Sequence, residues 1–401
     1  MKYELAKEKL KQIAKELKDE KYLNSPNLGV LNGISGIALF LFHYYKYSGD
    51  EYYSDLGKKY IVEIIDRINN GYSFPTYCSG IAGAAWTIEY LNEYNFIQFS
   101  SDENFNEIDE FLAENMNSCM KKGQFDFLHC SIGYGYYFLK RYNLTNSKRL
   151  KQKYLNYIHD LIDGLSAFSF KSQNGIYWIN TFEGFPKNSV DTGFAHGMSG
   201  IISFLTNVLS YNIKSPKALK MLDLATNFLL TARNDQLDSA YPKNIYINLI
   251  DPHLAEASRM AWCYGDLGIA SAFMNASRFI KGQDLLKESE RIMIKCCSRR
   301  SLLETGVVDS GLCHGSLGIA VIYKSFYDIT SNKNFSQASN YWLNDGLMKG
   351  SFPDGLGGFK KYDYNKYINE VNLLDGIAGI GLGIISLISD TELNWKQSMM
   401  I

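Results

Sequence analysis

The sequence predicts an all-α fold, an α/α toroid of seven helical hairpins with inner and outer helix rings and short irregular or strand-like excursions. Three observations lead there: a glycine-based element that recurs seven times, apolar helical runs directly after it, and amphipathic runs between the copies. The copies read Leu31-Asn32-Gly33-Ile34-Ser35-Gly36, Cys78-Ser79-Gly80-Ile81-Ala82-Gly83, Leu128-His129-Cys130-Ser131-Ile132-Gly133, Ala195-His196-Gly197-Met198-Ser199-Gly200, Cys263-Tyr264-Gly265-Asp266-Leu267-Gly268, Cys313-His314-Gly315-Ser316-Leu317-Gly318 and Leu374-Asp375-Gly376-Ile377-Ala378-Gly379. A repeat on this scale sets the architecture before any single residue is interpreted.

Counted between first positions, from Gly33 to Gly376, successive copies lie 47, 50, 67, 68, 50 and 61 residues apart. Each interval holds two helices and their connections. The runs after the glycines, such as Ile37 to Tyr47, Ala84 to Tyr94, Ile201 to Tyr211 and Ile319 to Tyr327, are apolar on nearly every side, as buried helices are. The runs Asp50 to Asn69, Ser147 to Leu165, Pro216 to Arg233 and Gln283 to Ser298 mix apolar stripes with charge and suit an outer ring. Glycines three apart strip one face of side-chain bulk, so neighbouring inner helices are expected to approach closely there. Gly175 to Phe182 alternates like a short strand, Ser239 to Pro252 reads as a proline-containing loop, and no linker marks a second domain, so residues 1–401 read as one toroid domain.

Composition narrows the partners. With 46% hydrophobic and 14% aromatic residues the 401-residue chain buries a large core, and a formal charge of −1 offers no basic field for nucleic acid. A small molecule or a peptide is the expected ligand. The charged start, Met1 to Leu10, lacks the apolar core of a secretion signal and points to the cytoplasm. Seven cysteines without an export signal suit thiols or metal ligands better than a disulfide framework. Leu373 to Ser389 is apolar enough to resemble a membrane span, but Asp375, its glycines and its six sibling segments favour a buried core helix.

In a ring of this kind the residues just ahead of each glycine pair surround the mouth of the central space. Two before the first position stand Leu31, Cys78, Leu128, Ala195, Cys263, Cys313 and Leu374; one before it stand Asn32, Ser79, His129, His196, Tyr264, His314 and Asp375. Three of the seven cysteines and three of the six histidines fall in these places. Cys263 belongs to the fifth copy and Cys313-His314 to the sixth, so ring order makes them neighbours. Two thiolates and an imidazole form a soft donor set suited to Zn²⁺, with the fourth tetrahedral position open as a catalytic site requires. The alternative is that these cysteines are small buried hydrophobes.

Other polar groups border this trio. Asp126, four residues before Cys130, lies beside His196 in ring order; the pair reads either as an acid/base couple or as a helix-capping carboxylate and a core histidine. Arg259, four residues before Cys263, offers a guanidinium for a developing oxyanion, and Tyr264 a phenol that donates a proton. A surface arginine and a core tyrosine are the plain alternatives in a chain with 29 tyrosines. Cys78 occupies the ligand place in the second copy, away from the fifth and sixth, and reads as structural.

Arg259-Met260-Ala261-Trp262-Cys263-Tyr264-Gly265, Cys313-His314-Gly315 and Ala195-His196-Gly197 resemble the signature motifs of the lanthionine synthetase C family, the LanC cyclases, and the likeness spans nearly the whole chain. The resemblance implies an α/α toroid holding one zinc ion through Cys263, Cys313 and His314, with His196 and Asp126 as acid/base residues and Arg259 and Tyr264 as further active-site members. It implies a separate lanthipeptide cyclase that adds cysteine thiolates of a dehydrated precursor peptide, leader plus core, to dehydroalanine or dehydrobutyrine. The pathway's dehydratase and transporter are its expected partners, at the inner face of the membrane. One departure stands out: Cys130, preceded by His129, occupies a position where the family usually has glycine. Three rivals share parts of the pattern. A LanC-like zinc toroid would bind peptide or glutathione without closing rings, a prenyltransferase-like toroid would activate a thiol on zinc, and a toroidal glycosidase would need facing carboxylates, for which Asp375, Asp126 and Asp266 pair poorly.

Overall fold

A computed structural model of the chain describes residues 2–181, 186, 188–247, 256–282, 284–389 and 394–401. Phe182, residues 248–252 and Gln283, which belong to the runs named above, lie outside them. Helix α1 (Lys2–Glu16) precedes the first copy. The seven copies lead into α2 (Ile34–Ser48), α4 (Ile81–Glu93), α7 (Ser131–Leu144), α9 (Met198–Ser210), α11 (Asp266–Ala276), α14 (Ser316–Thr330) and α16 (Ile377–Ile388). Between them run the amphipathic α3 (Glu51–Asn69), α6 (Asn106–Lys121), α8 (Lys148–Ala167), α10 (Pro216–Leu230), α12 (Leu285–Ser298) and α15 (Lys333–Lys349), with two four-residue turns of helix, α5 (Ser101–Asn104) and α13 (Leu302–Thr305). The apolar run at the C-terminal end forms α16, buried over most of its length. No described helix is long and apolar enough to cross a membrane.

The chain's contacts gather into two units, Met1–Phe99 with Gly306–Met399, and Ser100–Thr305 with Met400–Ile401. In the first, α2 packs on α3, α4 and α16, and α14 packs on α15 and α16. Among the described residues no long outer helix follows α16, and α1 packs on it. Strands β5 (Lys361–Asp363) and β6 (Lys366–Ile368) form a hairpin in this unit. In the second unit α7/α8, α9/α10 and α11/α12 are hairpins in chain order, α9 lies between α7 and α11, and α6 packs on α7 and α8. Its strands pair antiparallel as β1 (Phe170–Ser172) with β2 (Gly175–Tyr177), and β3 (Ser189–Asp191) with β4 (Asn244–Tyr246). The strand-like run beginning at Gly175 thus yields three residues of strand, set against α10.

The two helix classes start differently. Five of the amphipathic helices carry side-chain caps: Asp50, Ser147, Ser215, Asp284 and Asn332 accept from backbone N–H groups in the first turn, whereas α6 starts at Phe105 without one. Inner helices start at glycine, or at Cys130 in the third copy, with no such side chain. Their first N–H groups are met by the chain folding back on itself. Ile34 and Ser35 donate to the carbonyls of Asn27 and Leu28 at 3.1 and 3.2 Å, and Ile81 and Ala82 to those of Phe74 and Pro75 at 2.8 and 3.0 Å.

This return of the chain, rather than helix-to-helix approach, accounts for most of the glycine requirement. A Cβ on Gly265 would lie 1.9 Å from the Arg259 carbonyl oxygen, and one on Gly83 1.9 Å from that of Tyr77, in each case six residues earlier. A neighbouring copy adds a second contact at some positions, such as Val30 N at 2.7 Å from a Gly83 Cβ. In the third copy the turn accommodates the Cys130 side chain, and the Ser131 hydroxyl reaches the Gln124 carbonyl at 2.7 Å.

Adjacent turns are stitched by the carbonyl two residues before the first glycine. The Cys78 carbonyl accepts from Leu31 and Asn32, that of Leu31 from Leu374, and that of Leu374 from Leu312 and Cys313, all between 2.8 and 3.2 Å. In the second unit the Cys263 carbonyl accepts from Phe194 and Ala195 at 2.8 and 3.2 Å, and the Ala195 carbonyl from Phe127 at 3.3 Å.

Two outcomes follow for stability. Gly83→Ala should lower the unfolding free energy by about 1–3 kcal/mol, whereas Gly282→Ala, where a Cβ meets nothing within 4 Å, should change it by less than about 0.5 kcal/mol; urea denaturation compares them. His43 on α2 is buried with Nε2 3.0 Å from the Tyr90 hydroxyl, and burial lowers its pKa to about 3. An unfolded histidine takes its proton near pH 6.5, so the native state binds protons later than the unfolded one and stability falls as pH drops from about 6.5 towards 3. The His43 contribution is about 1.4 kcal/mol per pH unit in that window, and denaturation series at stepped pH should show a shallower fall in His43→Leu.

Candidate metal centre and acid/base site

Cys263 lies two residues ahead of Gly265, the N-cap of α11, and Cys313-His314 lie directly ahead of Gly315, the N-cap of α14. All three residues precede regular helix, so consecutive side chains need not diverge as they do on a helix surface. Their ligand atoms lie within 4.8 Å of one another, with both cysteines buried and His314 half-buried. A tetrahedral zinc with bonds of about 2.0–2.3 Å needs donor atoms about 3.3–3.8 Å apart, so a small contraction of this trio suffices. The donor set fits zinc. Cys78 stands outside the group, and burial pushes its thiol up to about 12. Among the described residues no disulfide forms.

The Asp126 carboxylate touches His196 Nδ1, and its other oxygen accepts the His129 backbone N–H. Asp126 thus bonds within its own turn and also contacts an imidazole from the next copy. Asp126 is fully buried, and burial lowers the His196 pKa to about 4. A neutral ring that gives its Nδ1 proton to Asp126 carries its basic lone pair on Nε2.

Two rings stack with His196. His129 lies with its centroid 5.7 Å away at 21°, and Tyr264 at 5.4 Å and 27°. Tyr264 and Arg259 line a cleft of about 530 Å³ together with Pro186, Lys243, Asn244, Glu256 and Ala257. Beneath these polar groups, Phe127, Phe194 and Trp262, each one or two residues from Asp126, His196 or Cys263, meet with centroids 5.3–6.5 Å apart. This buried aromatic trio packs the third, fourth and fifth turns against one another.

Sequence reasoning left His129 without a role; it is a stacking partner of His196. It also passed over Asp309, although Asp309-Ser310-Gly311-Leu312-Cys313-His314-Gly315 repeats the pattern of Asp191-Thr192-Gly193-Phe194-Ala195-His196-Gly197. In both, the aspartate Oδ1 accepts the N–H of the glycine two residues on, at 3.1 and 2.6 Å. Burial raises the Asp191 carboxyl to about 7.

The chain belongs to the lanthionine synthetase C-like family, whose model matches residues 24–400. It is similar in sequence to the nisin biosynthesis protein NisC of Lactococcus lactis subsp. lactis, with 23% identity over 410 residues that cover 96% of this chain and 91% of that protein. Among solved structures nisin cyclase superposes with a TM-score of 0.75 at 19% identity, over 98% of this chain and 96% of that one, and the fold is accordingly an α/α toroid. An unsaturated glucuronyl hydrolase specific for heparin aligns with a TM-score of 0.41 at 14% identity, over 87% of this chain and 96% of that one.

Proposed function

We propose that residues 1–401 act as one zinc-dependent lanthipeptide cyclase, joining cysteine thiolates of a dehydrated precursor peptide to dehydroalanine or dehydrobutyrine as lanthionine and methyllanthionine rings. Family membership supports the class, a thioether-forming lanthionine synthetase. The observation that carries the zinc dependence is the convergence of Cys263, Cys313 and His314. When bound there, zinc would lower the pKa of a substrate thiol so that it reacts as thiolate near neutral pH.

The remaining steps fall to the chain's own groups. His196, held through Nδ1 by Asp126, takes the thiol proton on Nε2. The sulfur lone pair forms the C–S bond at the β-carbon, and the alkene pair moves through the α-carbon to the carbonyl oxygen as an enolate. Arg259, in the cleft beside Tyr264, stabilises that charge. His196 then returns its proton to the α-carbon, which restores the carbonyl and leaves the enzyme unchanged. Tyr264, stacked on His196, orients the ring and offers a second proton donor. The precursor's leader binds outside the reacting centre, and the pathway's dehydratase and transporter deliver and remove the peptide at the membrane's inner face.

Cys313→Ala should lose zinc and ring closure together while circular dichroism stays that of the parent; full zinc stoichiometry by metal analysis would overturn the ligand assignment. His196→Ala should keep its zinc and close rings about 10²–10⁴-fold more slowly, followed as the loss of free thiols in a dehydrated precursor. Parent-like rates in that assay would remove His196 from the proton pathway.

A further inference from the structure

His314 lies between two carboxylates, one facing each ring nitrogen. Asp309 Oδ2 is 4.0 Å from Nε2, and Asp375 Oδ1 is 3.9 Å from Nδ1. The two acids are differently occupied. Asp309 has both oxygens engaged by backbone: Oδ1 accepts from Gly311 at 3.1 Å and Oδ2 from Tyr362 at 3.0 Å. Asp375 has one oxygen engaged, Oδ2 at 3.1 Å from Lys361 Nζ, while Oδ1 is buried and has no hydrogen-bond partner. A buried carboxylate oxygen without a donor is costly, and His314 Nδ1 faces this one at 3.9 Å.

We propose that Asp375 is the positioning residue of His314: its Oδ1 accepts the Nδ1 proton, fixing the tautomer that presents Nε2 to the metal, while Lys361 holds Oδ2. This rests on the zinc reading above. The gap of 3.9 Å is about 1 Å longer than a hydrogen bond, which a modest turn of the ring closes. Metal-binding histidines generally give their second N–H to a carboxylate or carbonyl, and losing that partner costs about 10–100-fold in metal affinity. Asp375 is well placed for the task because its turn is fixed independently: Asn372 Oδ1 accepts the Asp375 and Gly376 N–H groups at 2.9 and 3.2 Å, so its carboxylate carries no capping duty. Lys361, on β5, holds the carboxylate through Oδ2 and stops it from turning away. The seventh copy, which supplies no metal ligand, thereby contributes to the centre through its mouth residue.

The test titrates the full chain with Zn²⁺ against a chromophoric chelator and records the visible spectrum of the Co²⁺-loaded protein. Asp375→Ala should fold as the parent does, bind zinc about 10–100-fold more weakly and shift the Co²⁺ ligand-field bands. Asp375→Asn should be weakened similarly, because its one acceptor oxygen turns to Lys361 and its amide N–H groups face the imidazole. Adding Lys361→Met to Asp375→Asn releases that oxygen for His314 and should restore most of the affinity, a recovery that a purely structural defect would not show. Parent-like affinity and Co²⁺ spectrum in Asp375→Ala would overturn the proposal, as would a double variant no better than Asp375→Asn. If Asp375→Ala does not fold, the Asn pair decides. Cys313→Ala in the same titration separates the two readings: equal zinc binding by it and the parent sinks the ligand set, whereas its loss alongside a parent-like Asp375→Ala sinks only the positioning role.

Discussion

The turn that folds back ahead of each inner helix is what the rest of the structure depends on. An inner helix begins in the buried interior, where its first N–H groups have no water to turn to, and each one left unmet would cost about 1–3 kcal/mol. Most outer helices, α6 apart, solve the same problem with Asp, Ser or Asn side chains. The inner helices use their own preceding backbone, as in the Asn27 and Leu28 carbonyls that cap α2. That solution brings main chain so close to the glycines that a methyl group has no room.

Capping by backbone releases the side chains. The two residues ahead of each first glycine sit in a well-held turn, stitched to the next by carbonyls such as those of Cys78, Leu374 and Cys263. Their side chains have little part in holding that turn, so cysteine, histidine, tyrosine or aspartate can stand there at small cost to the fold. The same places lie directly ahead of the N-termini of the inner helices. The architecture thus supplies well-held backbone at the positions where the candidate metal ligands and His196 stand.

His196 and His314 illustrate two uses of a carboxylate from another copy. Fully buried Asp126 touches His196 directly, and burial lowers the pKa of that imidazole to about 4. Asp375 stands off from His314, balanced by Lys361, in a setting where a bound cation would draw the imidazole into place.

Much of this was legible in the sequence. The sevenfold repeat marked the inner helices, their order brought Cys263 near Cys313 and His314 and Asp126 near His196, and alternating apolar and amphipathic runs separated the two helix classes. Those features are readable because each copy repeats the same local requirements at the same spacing. Only the tertiary structure showed that the glycines answer to a returning backbone, that α1 covers α16 from the far end of the chain, that His129 stacks on His196, and that Asp375 rather than Asp309 has an acceptor open towards His314. These depend on which donors and acceptors three-dimensional packing has already used, and spacing along the chain carries no record of that.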